Sequence, residues 1–386
     1  MRGASYDVAI VGLGIMGSAA AWHLSRRGYR VLGLDAYHRG HDRGSSHGRT
    51  RIIRQAYYES PDYVPLVRRS YDLWHALEQE SGKALLTVTG GIYLGQPEAE
   101  LVAGALASAR QHGIPHEELD ATQIRQRFPA FRIPDDFVGL YEPGAGLLDA
   151  EACLAALLDI AAARGAELRH GEPVRRWRVD GDGVVLETDR ERYRADRLVL
   201  AAGSWIGQLL ADLRLPLEIW RILHVHFEPE RDDLFVAGRY PFALWEIPEG
   251  IYSAFPALPG QGVKFGRHDT GEVCTPETAR REVRPEEVES LRAMLNRFLP
   301  GAGGRVLWTL TCLYTMTPDH HFVIDRHPRY PHVVHASACS GHGFKFATVV
   351  GEILADLATE GTTPHRIEFL SAARFWRDEA SEGSRP

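Results

Sequence analysis

Residues 6–36 read YDVAIVGLGIMGSAAAWHLSRRGYRVLGLDA. Residues 6–11 are a short, mostly apolar run typical of a buried parallel strand, and residues 18–27 have the alanine-rich character of a helix. A second apolar run, residues 29–34, leads to Asp35. The order strand, turn, helix and strand predicts a βαβ unit, and with it an α/β fold.

The turn between the first strand and the helix carries Gly12, Gly14 and Gly17 in the pattern G-x-G-x-x-G. Glycines at these positions permit a tight turn and the close approach of a pyrophosphate, which the free N–H groups of a helix N-terminus also attract. Asp35 follows Gly12 by 23 residues, where an acidic side chain accepts hydrogen bonds from ribose hydroxyls. The stretch therefore predicts a dinucleotide cofactor, but the motif does not separate NAD from FAD.

Composition and charge argue against several classes of function. The 386 residues carry 44 Lys and Arg against 51 Asp and Glu, and the net charge of −7 argues against a nucleic-acid partner. The four cysteines have no spacing typical of a metal site or a disulfide framework, which predicts no metal and favours a reducing, cytoplasmic location. Residues 8–25 lack Asp, Glu, Lys and Arg, but their three glycines favour strand, turn and helix over a membrane span.

The α/β character at the start of the chain returns in its middle and at its end, with helical and strand-rich segments in between. We therefore predict a cofactor-binding domain from residues 1–86, 150–218 and 312–386, and a catalytic domain from residues 87–149 and 219–311. Helical periodicity predicts helices over residues 66–86, 99–113, 121–128, 151–164 and 285–298.

Two later segments favour FAD over NAD. Residues 196–203 (DRLVLAAG) are a buried strand that runs into a small-residue turn ending at Gly203, typical of a second cofactor segment in FAD proteins. Residues 340–345 (SGHGFK) form a glycine turn before a helix, whose N–H groups suit the pyrimidine end of a flavin, where reduction places negative charge. A nicotinamide-linked dehydrogenase, the alternative, has no need of a glycine turn at the far end of the chain.

Four further stretches, in this order, make a specific combination: SSHGRTRIIRQAY at 45–57, GVKFGRH at 262–268, TCLYTMTPDHHFVID at 311–325 and SGHGFKF at 340–346. With them the chain resembles, over essentially its whole length, the monomeric sarcosine oxidase and N-methyltryptophan oxidase family of flavin amine oxidases. The resemblance implies a glutathione-reductase-like FAD-binding (Rossmann) domain with an inserted catalytic domain built on a mainly antiparallel sheet. It also implies a monomer that oxidises secondary amino acids and passes the electrons to oxygen, with release of hydrogen peroxide.

The resemblance implies a covalent bond between Cys312 and the flavin 8-methyl carbon. A thiolate needs cationic surroundings, which the arginines of residues 45–57 can supply. Arg51 is expected at the flavin face, and Arg54 and Lys345 are expected to bind the substrate carboxylate. Their charges would also lower the pKa of a bound amine, so that it reacts in its neutral form.

The resemblance places Lys264 beside the flavin, where its charge stabilises superoxide, and His268 near the substrate amine, whose protonation it tunes. Tyr314 is expected to contact the substrate carboxylate. Arg49 is expected on the surface. The full expected set of cofactor-binding residues is Gly12, Gly14, Gly17, Asp35, Ser45, His47, Thr50, Arg51, Val174, Gly203, Cys312, Gly341, Gly343 and Lys345.

One substrate-binding position departs from the family pattern. Sarcosine oxidases have two successive aromatic residues where this chain has Tyr252 and Ser253, and the second lines the substrate pocket. Ser253 predicts a roomier pocket, unless Trp245 from a neighbouring strand fills the gap. Sarcosine is the first expected substrate, and N-methyl-L-tryptophan, L-proline and L-pipecolate are the alternatives. A flavin dehydrogenase with another electron acceptor, and a flavoprotein that turns over poorly, are further alternatives; Lys264 favours an oxidase.

Overall fold

The structure is a computed structural model that describes residues 5–376. It begins with the predicted βαβ unit: β1 (Ser5–Val11), α1 (Ile15–Arg26) and β2 (Val31–Asp35). Strand β1 pairs in parallel with β2 on one side and with β12 (Arg192–Leu200) on the other. The α/β fold expected from the opening residues is confirmed.

The first sheet has a parallel centre with antiparallel strands at its margins. Besides β1, β2 and β12 it contains β9 (Glu167–His170), β10 (Val174–Asp180), β11 (Gly183–Thr188), β19 (Val323–His327) and β20 (Tyr330–Ser337). Strands β9, β2, β1, β12 and β20 run in parallel, whereas β10 and β11 extend the sheet from β12, and β19 from β20, in antiparallel pairs.

Four helices pack together against one face of this sheet: α1, α2 (Tyr63–Ser81), α5 (Ala150–Ala163) and α9 (Ala347–Thr359). Small residues let α1 and α9 approach closely, because a Cβ added to Gly351 would lie 2.5 Å from the carbonyl carbon of Ala19. This packing holds the N-terminus of α1 at the end of the parallel strands, the position of ligand sites in open α/β sheets.

The second sheet is mainly antiparallel. Its strands are β5 (Gly91–Gly95), β6 (Glu117–Asp120), β7 (Val138–Glu142), β13 (Glu218–Phe227), β14 (Phe242–Ile247), β15 (Gly250–Leu258), β16 (Gly262–Arg267), β17 (Glu272–Cys274) and β18 (Val306–Met316). They run in the order β17, β13, β16, β15, β14, β5, β7 and β6, and β18 pairs with β13 along its whole length. Of these named strands, only β14 and β5 pair in parallel.

Shorter elements complete the described part of the chain. A small sheet contains β3 (Thr50–Ile53), β4 (Leu86–Val88) and β8 (Gly146–Asp149), and β3 brings the arginine-rich stretch beside the second sheet. The remaining α-helices are α3 (Glu100–His112), α4 (Ala121–Arg127), α6 (Ile206–Leu209), α7 (Asp232–Phe235) and α8 (Pro285–Phe298). Among the residues that the structure describes, no helix is both long and apolar enough to cross a membrane.

The two sheets are built from different segments of the chain. Strands of the first sheet come from residues 5–35, 167–200 and 323–337, and those of the second from residues 91–142 and 218–316. Strand β18, which carries Cys312, runs in the second sheet, whereas the predicted boundary assigned residue 312 to the cofactor-binding domain. The exact division into two domains stays a prediction.

Candidate active site

A cavity of about 510 Å³ lies between the two sheets and reaches from the glycine turn of α1 to the turn before α9. It brings together nearly all of the side chains and glycines that the sequence singled out. The predicted residues that line it are Gly12, Gly14, Asp35, Ser45, Arg51, Arg54, Val174, Gly203, Ser253, Lys264, His268, Cys312, Tyr314, Gly341, Gly343 and Lys345. Gly17, His47 and Thr50 were also expected at the cofactor but do not line the cavity.

The glycine turn is shaped by close backbone approach. Gly12 has a φ of +95°, and a Cβ there would overlap the carbonyl oxygen of Ala201. A Cβ on Gly17 would overlap the carbonyl oxygen of Gly12, so Gly17 serves the packing of α1 against the turn. Only glycine fits either position, and the bare backbone of this turn faces the cavity.

Asp35 is held in place by backbone N–H groups. Its carboxylate accepts hydrogen bonds from the amides of Leu13, at 2.7 Å, and Tyr37, at 2.9 Å. A carboxylate has further lone pairs for ribose hydroxyls, as the sequence predicted. At the start of α1, the amide of Ile15 donates to the Ser46 hydroxyl at 3.0 Å. The first N–H groups of a helix have no partner within the helix, so the neighbouring N–H groups of this turn can bind a ligand.

Two cations, the half-buried Arg51 and the buried Lys264, both donate to the carbonyl of Thr50 at the start of β3. The Arg51 guanidinium donates to the carbonyls of Ser45, His47 and Thr50, at 2.6 to 2.9 Å. The Lys264 ammonium donates to the carbonyl of Thr50 at 2.9 Å. Burial is the main cause that lowers the pKa of Lys264 well below its ordinary value, and the charge of Arg51 lowers it further. Negative charge developing beside such a lysine favours its protonated form.

His47 and Thr50 lie behind the cavity wall. The imidazole of His47 contacts the carbonyl of Thr311 at 3.1 Å and lines a separate cavity of about 180 Å³ with Arg39 and Glu151. Burial lowers the pKa of His47 to about 4, so its ring is neutral and Nε2 donates to this carbonyl. Within the structure, both residues hold the loop carbonyls that orient Arg51.

Cys312 lies on β18 with its thiol 3% exposed. Burial raises the pKa of this thiol, whereas the charges of Arg51 and Lys264 act in the opposite direction. These two cations therefore favour the reactive thiolate, as the sequence predicted for the arginine-rich stretch. Cys339 lines the same cavity, and its sulfur accepts from the amide of Thr315 at 3.4 Å.

The Arg54 guanidinium is buried and already holds a carboxylate. Its Nη2 donates to both oxygens of Glu59, at 2.6 and 2.7 Å, and its Nη1 donates to the carbonyl of Ala56 at 3.0 Å. Burial opposes ionisation of Glu59, but the charge of Arg54 prevails and lowers the pKa of Glu59 to about 2. Sequence reasoning identified Arg54 and missed Glu59, which lies two residues after the end of the stretch 45–57.

Lys345 lies near this ion pair. Its ammonium donates to the carbonyl of His342 at 2.7 Å and to the Tyr57 hydroxyl at 3.3 Å. Burial and the neighbouring charge of Arg54 lower the pKa of Lys345 well below its ordinary value. The predicted pair of carboxylate-binding cations is thus assembled in one place, and an incoming anion would favour the charged form of both.

His268 and Tyr314 form a second polar pair in the cavity. Nδ1 of His268 lies 3.3 Å from the Tyr314 hydroxyl, and a Cβ on Gly341 would come within 2.8 Å of the tyrosine ring. Burial lowers the pKa of His268 to about 4 and raises the pKa of Tyr314, so both groups are neutral near pH 7. They offer hydrogen bonds without adding a charge.

Trp245 does not fill the space beside Ser253. Ser253 faces the cavity, with its hydroxyl 3.4 Å from the carbonyl of Gly266. Trp245 is fully buried on the other side of the sheet, where it stacks on Phe265 at a centroid distance of 5.4 Å. The alternative in which Trp245 closes the substrate pocket is wrong, because alternate residues of a strand face opposite sides.

The sequence did not single out His224, which also lines the cavity. Its ring packs over Gly266, whose added Cβ would lie 2.7 Å from Cδ2 of the imidazole. Nδ1 of His224 is buried and has no hydrogen-bond partner among the described residues. The sequence did carry a signal for this position: His224 and His226 alternate with apolar residues in the run ILHVHF, residues 222–227.

The cavity suits an FAD by the chemistry of its lining. A glycine turn with unsubstituted backbone, the fixed carboxylate of Asp35, a second glycine turn at Gly341 and Gly343, and the thiol of Cys312 all open onto it. These groups match a pyrophosphate, a ribose, the pyrimidine ring and the 8-methyl group of a flavin in turn. Asp35 and the glycine turn of α1 would hold the nucleotide half.

Comparison with known proteins points to the same cofactor. The family described as FAD dependent oxidoreductase matches residues 7–357. The chain is 46% identical to monomeric sarcosine oxidase of Streptomyces avermitilis, over 96% of this chain and 98% of that protein. It is 36% identical to N-methyl-L-tryptophan oxidase of Salmonella arizonae, over 96% and 99%.

A solved structure extends the similarity to the fold. NikD, described as an unusual amino acid oxidase essential for nikkomycin biosynthesis, is 30% identical and superimposes with a TM-score of 0.83, covering 95% of this chain and 97% of that one. The predicted FAD-binding fold with its antiparallel second sheet is confirmed. The chain therefore belongs to the FAD dependent oxidoreductase family, and within it to the family of monomeric sarcosine oxidases and N-methyl-L-tryptophan oxidases.

Proposed function

We propose that this FAD-dependent oxidoreductase oxidises the C–N bond of N-methyl amino acids, with sarcosine as its first substrate. The reaction is sarcosine, dioxygen and water to glycine, formaldehyde and hydrogen peroxide. The observation that carries the proposal is one cavity that unites a buried pair of cations, Arg54 and Lys345, with the neutral pair His268 and Tyr314. The similarity to sarcosine oxidases over nearly the whole chain supports the choice of substrate.

Arg54 and Lys345 bind the substrate carboxylate in this proposal. Nη2 of Arg54 already donates to both oxygens of Glu59, so this guanidinium can hold a carboxylate. The substrate carboxylate takes the place of Glu59 on Arg54, and Lys345 adds a second cation. Binding at this end orients the amine toward His268 and Tyr314.

The amine reacts in its neutral form because only that form has a free electron pair on nitrogen. The cations Arg54 and Lys345 disfavour a second positive charge nearby and lower the pKa of the bound amine. His268 is neutral because burial lowers its pKa to about 4, so its imidazole can form a hydrogen bond with the amine without adding charge to the site. When bound, FAD supplies the acceptor for a hydride equivalent from the substrate carbon, and oxygen takes up the electrons afterwards.

Cys312 is the proposed covalent anchor of the flavin. Its position among the cavity residues supports this role, and the nearby charges of Arg51 and Lys264 partly offset the burial that raises the pKa of its thiol. Cys339 lies in the same cavity and serves as the matched cysteine for an experiment.

Lys264 is the proposed aid to oxygen reduction. It is 2% exposed, opens onto the cavity and is fixed by the carbonyl of Thr50. In its protonated form, the Lys264 ammonium stabilises the negative charge that develops on oxygen as electrons reach it. This supports an oxidase over a dehydrogenase with another acceptor. We also propose a cytoplasmic monomer, in line with relatives that are named monomeric.

The test combines the absorbance spectrum after acid precipitation with peroxide release on a substrate panel. The panel contains sarcosine, N-methyl-L-tryptophan, L-proline, L-pipecolate and glycine. We expect the yellow colour to stay with the precipitated protein, to wash out in Cys312→Ser and to stay in Cys339→Ser, and sarcosine to release the most peroxide. Colour that washes out of the wild-type protein would contradict the covalent anchor, and no peroxide from any member would contradict the oxidase.

A larger or cyclic substrate that leads the panel would favour the roomier pocket. Ser253 and the remote position of Trp245 are the observations behind that second candidate.

A further inference from the structure

Glu142 is a buried carboxylate at the end of β7 that has no part in the proposed reaction. Its side chain is 1% exposed. It accepts hydrogen bonds from the backbone amides of Gln55, at 2.8 Å, and Ala56, at 3.0 Å, and from the Tyr93 hydroxyl at 2.9 Å. Three donors therefore converge on one carboxylate in the protein interior.

Two of these donors belong to the peptide groups directly after Arg54. The carbonyl of one of those residues, Ala56, accepts from Nη1 of Arg54 at 3.0 Å. Glu142 thus fixes the backbone of Gln55 and Ala56, and the carbonyl of Ala56 in turn holds the Arg54 guanidinium. The ring of Tyr93, its third donor, also lies near the guanidinium, at 5.8 Å from its central carbon.

A carboxylate suits this position better than a neutral side chain. All three neighbours are hydrogen-bond donors, and only an ionised carboxylate accepts from each of them without presenting a donor of its own. Burial raises the pKa of Glu142, while the backbone donors, Tyr93 and the charge of Arg54 act in the opposite direction. Burying a carboxylate here costs free energy, which the three hydrogen bonds offset.

We propose that Glu142 is the positioning residue of the carboxylate-binding site: by holding the amides of Gln55 and Ala56 it aims the Arg54 guanidinium into the cavity. The inference rests on the proposed role of Arg54 as the residue that binds the substrate carboxylate. Replacing a residue that orients a metal ligand typically changes metal affinity about 10- to 100-fold, and we expect an effect of the same order for a residue that orients Arg54.

The experiment measures acetate binding to the flavin-loaded enzyme through the change in flavin absorbance. Acetate serves as the probe because it carries the carboxylate and lacks the amine. In Glu142→Gln we expect the Kd for acetate to rise at least about tenfold, and KM for sarcosine to rise more than kcat falls. In Arg54→Gln the Kd also rises, and the double variant binds acetate no more weakly than Arg54→Gln alone, because the two residues act as a unit.

Two control variants separate positioning from loss of stability. Glu172→Gln removes another buried carboxylate, 2% exposed and bonded to the Thr188 and Tyr193 hydroxyls, and should leave acetate binding unchanged even if the melting temperature falls. Tyr93→Phe removes one donor to Glu142 and keeps both backbone contacts, so it should shift the Kd less than Glu142→Gln does. If Glu142→Gln does not fold, Glu142→Asp keeps the charge on a shorter side chain and should raise the Kd in the same direction.

The outcomes distinguish the inference from the function on which it rests. A Kd for acetate that rises in Arg54→Gln but stays at the wild-type value in Glu142→Gln or Glu142→Asp overturns the positioning role alone. A Kd that stays unchanged in Arg54→Gln overturns the proposed carboxylate site itself. Additive effects in the double variant would show that Glu142 acts elsewhere, and would also overturn the inference.

Discussion

Replacing Glu59 by Gln should tighten the binding of carboxylate ligands while it destabilises the ligand-free protein. Glu59 occupies Arg54 through two hydrogen bonds of 2.6 and 2.7 Å, and a substrate carboxylate has to displace it from the same guanidinium. Gln keeps one acceptor oxygen and loses the charge. The competing interaction therefore falls by about one charge-assisted hydrogen bond, about 1.5–3 kcal/mol, which corresponds to about 10- to 100-fold in Kd.

The assay is an acetate titration followed by flavin absorbance, combined with thermal unfolding in the presence and absence of acetate. In Glu59→Gln the buried Arg54 loses its charged partner, so the melting temperature should fall without acetate and recover when acetate is added. Because the pKa of Glu59 is lowered to about 2, its carboxylate is ionised throughout pH 5–8 and the effect should persist across that range.

Glu352→Gln is the matched control, because Glu352 also pairs with one arginine, Arg69, through two hydrogen bonds, at 2.6 and 2.9 Å. It should leave acetate binding unchanged. If Glu59→Gln weakens acetate binding or leaves it unchanged, Glu59 supports the carboxylate site instead of competing for it, and the reasoning is refuted.

Three further predictions concern oxygen reduction, specificity and acid stability. Lys264→Met should slow the reoxidation of the flavin about 100-fold or more in stopped-flow experiments and affect its reduction by substrate far less; equal slowing of both steps would contradict the role of Lys264. Ser253→Tyr should raise KM for N-methyl-L-tryptophan about tenfold relative to sarcosine, because the ring fills the space beside Gly266, and an unchanged KM ratio would argue against this position as part of the pocket. Burial lowers the pKa of His335 from 6.5 to about 4, so between pH 6.5 and 5 the unfolded chain takes up a proton that the folded protein does not. Stability therefore falls by about 2 kcal/mol over this interval on account of His335, and His335→Gln should remove that share of the pH dependence in urea unfolding at the two pH values; the same loss in both proteins would refute the assignment.

The sequence was most informative where the chemistry is local. The turn of Gly12 and Gly17 and the position of Asp35 follow from spacing within one βαβ unit, and the structure has them as expected. The helix predicted from residue 285 to 298 is α8 with the same bounds, since Pro285 and the acidic residues after it mark a helix start.

Contacts between distant segments were not accessible in the same way. Glu142 holds the backbone of Gln55 from 87 residues away, and no local pattern pairs β7 with this loop. Strand register was a second limit: Ser253 faces the cavity while Trp245 faces the other side of the sheet, because Trp245 pairs with Tyr252 and not with Ser253.

Spacing also did not show that two of the predicted cofactor-binding residues hold Arg51 through their backbone. His47 and Thr50 do not line the cavity, and their carbonyl oxygens accept hydrogen bonds from Arg51. A carbonyl contact carries no residue-type signal, because every residue offers one.

The most direct test of the account is an anaerobic titration of the purified yellow enzyme with sarcosine, followed by admission of air. We predict that sarcosine bleaches the visible absorbance of the flavin, and that air restores it with one hydrogen peroxide formed for each flavin. A flavin that stays oxidised with sarcosine and with every other amine of the panel would contradict the account.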